Sequence, residues 1–266
     1  MQIPSDERNA RLKAGVAILL TFTAGLVDIV GYIAVYHSFV AHMTGATVHL
    51  GNDLVTHVWP QAGKAAAVIA SFVGGSIVGR TMIEWGARAR MRTAASITMA
   101  AEAALVLAFI WDSTAVLKHF APQNIPLGTS CLLLALLASA MGLQTATLTR
   151  IGPLTVHTTF VTGMLNKLAE EAARWIFWIH DSRQEHQNVL HLLRSSRDHR
   201  SFRNSIFLSG IWISYMLGSM AGTWMDSRWK VDTLYLAVFI LLCSIGADQL
   251  RPLSLEEERE QSRSSS

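Results

Sequence analysis

Apolar residues along this chain gather into six long stretches in which charge is nearly absent: Lys13–Tyr36, Ala65–Trp85, Thr93–Trp111, Leu127–Thr149, Asn204–Met225 and Val231–Ala247. Each is about 17–25 residues long, the length an α-helix needs to cross a hydrocarbon layer about 30 Å thick. Leu, Ile, Val, Ala and Phe fill them, with scattered Gly and Ser. The bilayer core offers backbone groups no water, so a spanning segment must satisfy them within itself, as a helix does. The pattern predicts an all-α fold, a polytopic membrane helix bundle of six spans. The first stretch is longer than the apolar core of a secretory signal, and no small-residue cleavage site follows it, so it reads as a retained span.

A short pattern occurs twice among these stretches. SFVGGSIVG (Ser71–Gly79) and SYMLGSMAG (Ser214–Gly222) align Ser71, Gly75, Ser76 and Gly79 with Ser214, Gly218, Ser219 and Gly222, and Phe72 with Tyr215. Small residues four apart form one helix face, and such faces let membrane helices pack backbone to backbone. Two unrelated packing faces would account for the ladders alone. Two further matches, in the same order, favour a duplication. Thr44-Gly45 recurs as Thr162-Gly163, and AGLVD (Ala24–Asp28) lies over AMGLQ (Ala140–Gln144). Three spans per half is an odd number, so the second half must enter the membrane in the opposite sense. The expected organisation is a pair of inverted-topology repeats, residues 13–112 and 127–248, an architecture that recurs in transporters. Residues 180–203 read as a polar, basic insertion with an amphipathic patch at Val189–Leu193. Residues 1–12 form an N-terminal segment, and residues 249–266 a charged, Ser-rich tail expected to be disordered.

Charge placement sets the expected orientation. The chain is 51% hydrophobic and only 15% charged, against about 25% charged in soluble domains, and its mean hydropathy is +0.32. Its Lys and Arg flank the spans. The N-terminus, the second and fourth loops and the tail together hold eighteen of the 22, and the first, third and fifth loops hold four. The positive-inside rule then places both termini and the basic loops in the cytoplasm. The basic pI reflects this topology and not nucleic-acid binding. Cys131 and Cys243 both fall inside spans, where they act as small apolar residues.

AGLVDIVGYIAVYHSFVAHMTGATVHLG (Ala24–Gly51), with Gly25-x-x-Asp28, His42-Met43-Thr44-Gly45 and the later GLQTA (Gly142–Ala146), resembles the YoaK family of bacterial inner-membrane proteins, over most of residues 12–250. That resemblance implies a six- or seven-helix integral membrane protein and supplies no catalytic residues. Ala46 stands where the family usually carries Asn, so no polar role carries over to that position.

Several residues invite a functional reading. Asp28 lies inside the first span, where a carboxylate costs roughly 2.5–3.5 kcal/mol on insertion scales and must face protein, water or a partner. It can serve a solute or coupling ion, or act as glue between helices. Gln144, aligned with it, would offer a neutral amide opposite that acid. Glu102, in the third span, is a second protonatable group, or a carboxyl paired within the bundle. Thr44-Gly45 and Thr162-Gly163 each follow an irregular apolar segment and precede a helical pattern. They read as helix N-caps, at the surface or dipping into the membrane as in the broken helices of transporters. His49, Asp53 and His57 share one helix face with His42 nearby, but span too many turns to clasp one ion readily. Trp175, Phe177 and Trp178 suit an interfacial aromatic belt.

No P-loop, G-x-S-x-G, H-E-x-x-H or dinucleotide fingerprint is present, so no enzyme, cofactor or metal site is expected. The sequence favours a secondary transporter of a small solute, with the site between the halves, Asp28 facing Gln144 and the two Thr-Gly helix starts close by. Its partners would be the lipid bilayer and that solute. A membrane scaffold or an embedded lipid-modifying enzyme is the alternative.

Overall fold

The computed structural model describes residues 5–35, 38–89, 91, 93–147, 150–151, 154–155, 158–184 and 199–250. The helices run α1 (Ser5–Ala34), α2 (Met43–Val55), α3 (Trp59–Arg88), α4 (Ala94–Leu117), α5 (Leu127–Thr147), α6 (Val161–Gln184), α7 (Arg200–Trp229) and α8 (Leu234–Leu250). A two-residue antiparallel pair, Arg150–Ile151 with Leu154–Thr155, follows α5. Pro60 sits in the first turn of α3, where its missing N–H costs no hydrogen bond. His57 and Lys230 take positive φ values of 59° and 52°, where α2 turns into α3 and α7 into α8.

Five stretches are long and apolar enough to cross a membrane: Arg11–Ala34, Trp59–Arg88, Ala94–Leu117, Leu127–Thr147 and Arg200–Leu250. The last runs through both α7 and α8, so the six apolar stretches of the sequence map onto α1, α3, α4, α5, α7 and α8. The helices overrun the stretches because charged and aromatic residues extend them. α3 and α7 each have 30 residues, about 45 Å of helix. α6 continues to Gln184 and α7 begins at Arg200. Residues 185–198, with the amphipathic patch at 189–193, lie outside the described residues, as do residues 251–266 of the tail.

The bundle is held by two close helix pairs. α3 lies along α5, and α7 lies along α1. α4 packs on α5 and α8, α8 also on α1, α2 on α3, and α6 on α7. The two small-residue ladders face these pairs. A methyl group at Gly75 would lie 2.3 Å from the Ser139 carbonyl oxygen, and one at Gly218 would lie 2.1 Å from that of Phe22. The opposing helices answer in kind: a methyl at Gly142 would come within 2.3 Å of the Phe72 oxygen, and one at Gly25 within 2.2 Å of the Tyr215 oxygen. Only glycine permits this approach, and dispersion between the touching backbones replaces the hydrophobic force that lipid cannot supply.

These contacts also set a register. Gly75 and Gly218 meet Ser139 and Phe22, while Gly79 and Gly222 meet Leu143 and Leu26. Each α5 residue thus stands 117 positions after its α1 counterpart, and Gly25 corresponds to Gly142. Asp28 then corresponds to Thr145 and not to Gln144. Setting AGLVD over AMGLQ, which pairs Asp28 with Gln144, is one residue out of step with this packing register.

Five buried hydroxyls are satisfied inside their own helices. Thr21, Thr98, Ser113, Thr147 and Ser244 each donate to the carbonyl four residues earlier. Bonded in this way, these five need no water in an apolar bundle; the buried hydroxyls of Ser76 and Thr233 have no such partner. Large apolar side chains such as Ile77, Trp85, Met220, Trp224 and Phe239 lie exposed on the outside of the bundle, the distribution expected of a surface that meets lipid.

Candidate functional site

The site is organised by Asp28, six residues before the end of α1 and 2% exposed. After α1 the chain folds back alongside the helix. The backbone N–H groups of Val40 and Ala41 both donate to Asp28 Oδ1 at 2.9 Å. On the other oxygen, His42 Nδ1 lies 3.1 Å from Oδ2 and the Tyr215 hydroxyl donates to it at 2.7 Å. Four partners, three from the segment after α1 and one from α7, offset the cost of burying this carboxylate. They pin the segment 38–42, which is further held by Phe39 stacking on Tyr32 at 4.3 Å and lying 5.0 Å from the His42 ring. As a result α2 starts level with Asp28, about 9 Å back along α1 from its end.

The second half makes a parallel arrangement. Thr145 of α5 donates to the Met141 carbonyl and shares a hydrogen bond with Thr159, in the segment that leads into α6. In α2 the Ala46 N–H bonds the His42 carbonyl at 2.9 Å, and in α6 the Met164 N–H bonds the Phe160 carbonyl at 3.2 Å. The amides of Met43, Thr44 and Gly45, and those of Val161, Thr162 and Gly163, therefore belong to first turns, which have no carbonyl one turn earlier.

Both helix starts open onto one cavity of about 310 Å³. Its walls are Ala41, His42, Met43 and Thr44 from the first half's segment, Thr159, Phe160, Val161 and Thr162 from the second's, with Thr145 and Phe72 between them. The structure thus brings Thr44 and Thr162 together. Neither is an N-cap. His42 holds the N-cap position of α2, with its side chain making no capping bond, and α6 begins at Val161. The tie to Asp28 fixes the turn at residues 40–42, so helix begins one residue before Thr44. Gly163 lies against the Phe160 ring, where a methyl would come within 2.3 Å, whereas Gly45 has room.

The remaining candidates lie elsewhere. Gln144 is fully buried, and its Nε2 donates to the Leu20 carbonyl at 2.6 Å and to Thr158 Oγ1 at 3.2 Å. It ties α5 and the segment before α6 to α1, two turns from Asp28, and the two side chains share no contact. Its register, one residue off from Thr145, turns it away from the cavity. Glu102 is fully buried in α4, neither carboxyl oxygen has a hydrogen-bond partner, and it lines neither cavity beside His42. Among the described residues no three His, Cys, Asp or Glu side chains are grouped to hold a metal.

A second cavity, about 350 Å³, lies between α2 and α3. His42 belongs to its wall too, with Phe39, His49, Asp53, Gln61 and Lys64. His57 instead packs against Trp59 at 5.8 Å. Asp28 holds the His42 ring above the ordinary histidine pKa, through their hydrogen bond first and their opposite charges second, against the opposing effect of partial burial.

His42, Tyr215, Thr145 and Thr159 were not singled out as site residues from the sequence. The signal for Tyr215 was present: it replaces Phe72 of the other ladder, and its hydroxyl reaches Asp28, while the plain ring of Phe72 lines the cavity near Thr145. The polar difference between the ladders follows the polar difference between Asp28 and Thr145.

Comparison with known proteins agrees with the architecture. No solved structure matches the chain. The chain is 28% identical over 160 residues to the UPF0700 transmembrane protein YoaK of Bacillus subtilis (strain 168), covering 60% of this chain and 67% of that one. Residues 16–247 match the family described as "Protein of unknown function (DUF1275)". With its apolar helices, paired glycine ladders and long family match, the chain is an integral membrane protein that belongs to the DUF1275 family.

Proposed function

We propose that the protein is a secondary transporter that carries a small solute through the cavity between the Thr44 and Thr162 helix starts. The observation that supports this reading is the convergence of two helix starts, one from each half, on one cavity. First-turn amides and the hydroxyls of Thr44, Thr145, Thr159 and Thr162 offer donors to a solute bearing hydrogen-bond acceptors. In this reading residues 13–112 and 127–248 are inverted repeats. The exchange of partners, α3 on α5 and α7 on α1, with a constant register, is what such a pair would produce. α2 then runs from the cavity towards the outside and α6 towards the cytoplasm. The protein sits in the bacterial inner membrane with both termini cytoplasmic, as the distribution of Lys and Arg indicates.

Asp28 takes the part of an anchor for the first helix start, and Gln144 the same part for the second. Glu102 is a protonatable group of the bundle and not a solute contact. Gly163 lets the first turn of α6 pack on the Phe160 ring that lines the cavity, and Gly45 faces the groove between α2 and α3. Alternating access follows if one half rocks on the other across the smooth faces of Gly75, Gly79, Gly218 and Gly222.

The test is an untargeted metabolite comparison of cells lacking the protein and cells overproducing it, with Thr162→Trp as the filled-cavity variant. A small set of solutes should shift on deletion and return with the wild-type chain but not with Thr162→Trp. Full restoration by Thr162→Trp, at equal membrane abundance, would contradict the proposal.

A further inference from the structure

His42 stands in the wall of both cavities, the central one and the groove between α2 and α3. Its side chain is 51% exposed, while the Asp28 carboxylate it touches is 3% exposed. It is also the N-cap residue of α2, so any movement of its backbone moves the helix start that lines the central cavity. Among the described residues the groups around it are few. Asp28 faces it from α1, and Tyr215 of α7 donates to the same carboxylate oxygen. His49 and Asp53 of α2 and Lys64 of α3 share its groove. On the central side, Thr145 of α5, Thr159 of the segment before α6 and Thr162 of α6 bring hydroxyls and no charge.

We infer that His42 is the coupling-proton site of this protein and that its protonation closes the partition between the groove and the central cavity. This rests on the transporter reading above. Protonated, the ring is held on Asp28 by both charge and hydrogen bond, and the partition stays as it is seen. Neutral, the ring keeps at most the hydrogen bond and is freer to leave the wall, which joins the two cavities. Asp28 is the fixed part of the pair, tied to two backbone amides, one hydroxyl and one imidazole. A proton bound at His42 from the groove would thereby alternate with access to the solute site.

Cysteine accessibility tests this without a known solute. In a chain carrying Cys131→Ala and Cys243→Ala, Gln61→Cys marks the groove and Thr162→Cys the central cavity. Each is labelled with a membrane-impermeant maleimide applied from the groove side of reconstituted vesicles. The ratio of the two rates cancels the reagent's own pH dependence. The ratio of central to groove labelling should rise several-fold as pH increases, with its midpoint above the ordinary histidine value of 6.5. His42→Gln should hold the ratio at its high-pH value and His42→Arg at its low-pH value, while His49→Gln should keep the transition. Opposite locks from two substitutions at one position would not come from misfolding. A ratio that is flat in the parent, or a transition that survives His42→Gln, overturns the inference and leaves the central site standing. If Thr162→Cys is unreactive at every pH, with Gln61→Cys reactive, the central site itself fails and takes the inference with it.

Discussion

Replacing Asp28 by alanine removes the acceptor for two backbone amides, a tyrosine hydroxyl and a histidine ring. Val40 is fully buried and Ala41 is 8% exposed, so their amides have little water to turn to. A buried donor left unpaired costs about 1–3 kcal/mol, which puts the loss from these two at about 2–6 kcal/mol. His42 adds less, since it reaches solvent-accessible space, and the largely buried Tyr215 hydroxyl loses its acceptor as well. Such a loss is a large part of the 5–15 kcal/mol that typically separates folded from unfolded chains. Two milder substitutions grade the effect. Tyr215→Phe deletes one donor to the carboxylate and restores the residue of the other ladder, for a loss of about 1.5–3 kcal/mol. Asp28→Asn keeps Oδ1 as acceptor for the two amides but presents an NH2 group to Tyr215 and His42, and should fall between. The assay is thermal unfolding of detergent-solubilised protein followed by size-exclusion chromatography, with the expected order of midpoints wild type, Tyr215→Phe, Asp28→Asn, Asp28→Ala. An Asp28→Ala protein that melts with the wild type would refute the anchoring role.

The His42–Asp28 pair makes part of this stability depend on pH. Because the folded-state pKa of His42 is raised, its contribution is fully present below the unfolded value near 6.5 and is lost as pH rises through the folded value. Melting temperature should drift down through that window in the wild type, and the drift should shrink in His42→Gln. Gly75→Ala and Gly218→Ala should each lower the midpoint, because the added methyl meets backbone; overpacking of this kind costs about 1–3 kcal/mol. Gly74→Ala, with nothing within 4 Å, should leave the midpoint unchanged or raise it. Glu102→Leu should not destabilise the fold, since the carboxyl it removes has no hydrogen-bond partner; a marked loss would reveal one. Reporter fusions after Gln61 and Gln123 should read outside the cytoplasm and one after Arg197 inside.

The spans were legible in the sequence because bilayer thickness imposes a length and a composition that few soluble helices meet. The ladders were legible because helix periodicity fixes which small residues share a face. That α3 would meet α5, and α7 meet α1, was not, since a glycine face does not name its partner. The acid in the first span and the two Thr-Gly pairs were recognised as unusual, and the structure sets Thr44 and Thr162 on one cavity with Asp28 anchoring its edge. What failed was register and local geometry. Gln144 was chosen over Thr145 by a one-residue slip, which on a helix turns a side chain by about 100°. Thr44 and Thr162 read as caps because threonine caps well, but the fold-back onto Asp28 puts the cap of α2 two residues earlier, at His42, and α6 begins at Val161, before Thr162. His42 escaped emphasis because its importance comes from a contact with Asp28 across an irregular segment, and no periodic pattern encodes that.

Transport through one cavity requires the two helix starts to lie close together, and a cross-link measures that distance directly. A cavity of about 310 Å³, taken as a sphere, is about 8 Å across. A Thr44→Cys, Thr162→Cys double variant lacking Cys131 and Cys243 is treated with a short bifunctional thiol reagent, and the joined peptides are identified by mass spectrometry. Ser71→Cys with Ser139→Cys serves as control, since the Ser139 hydroxyl lies 3.3 Å from the Ser71 carbonyl oxygen. An intramolecular link between positions 44 and 162 is expected in membranes of intact cells. A control pair that links while 44 and 162 do not would contradict it.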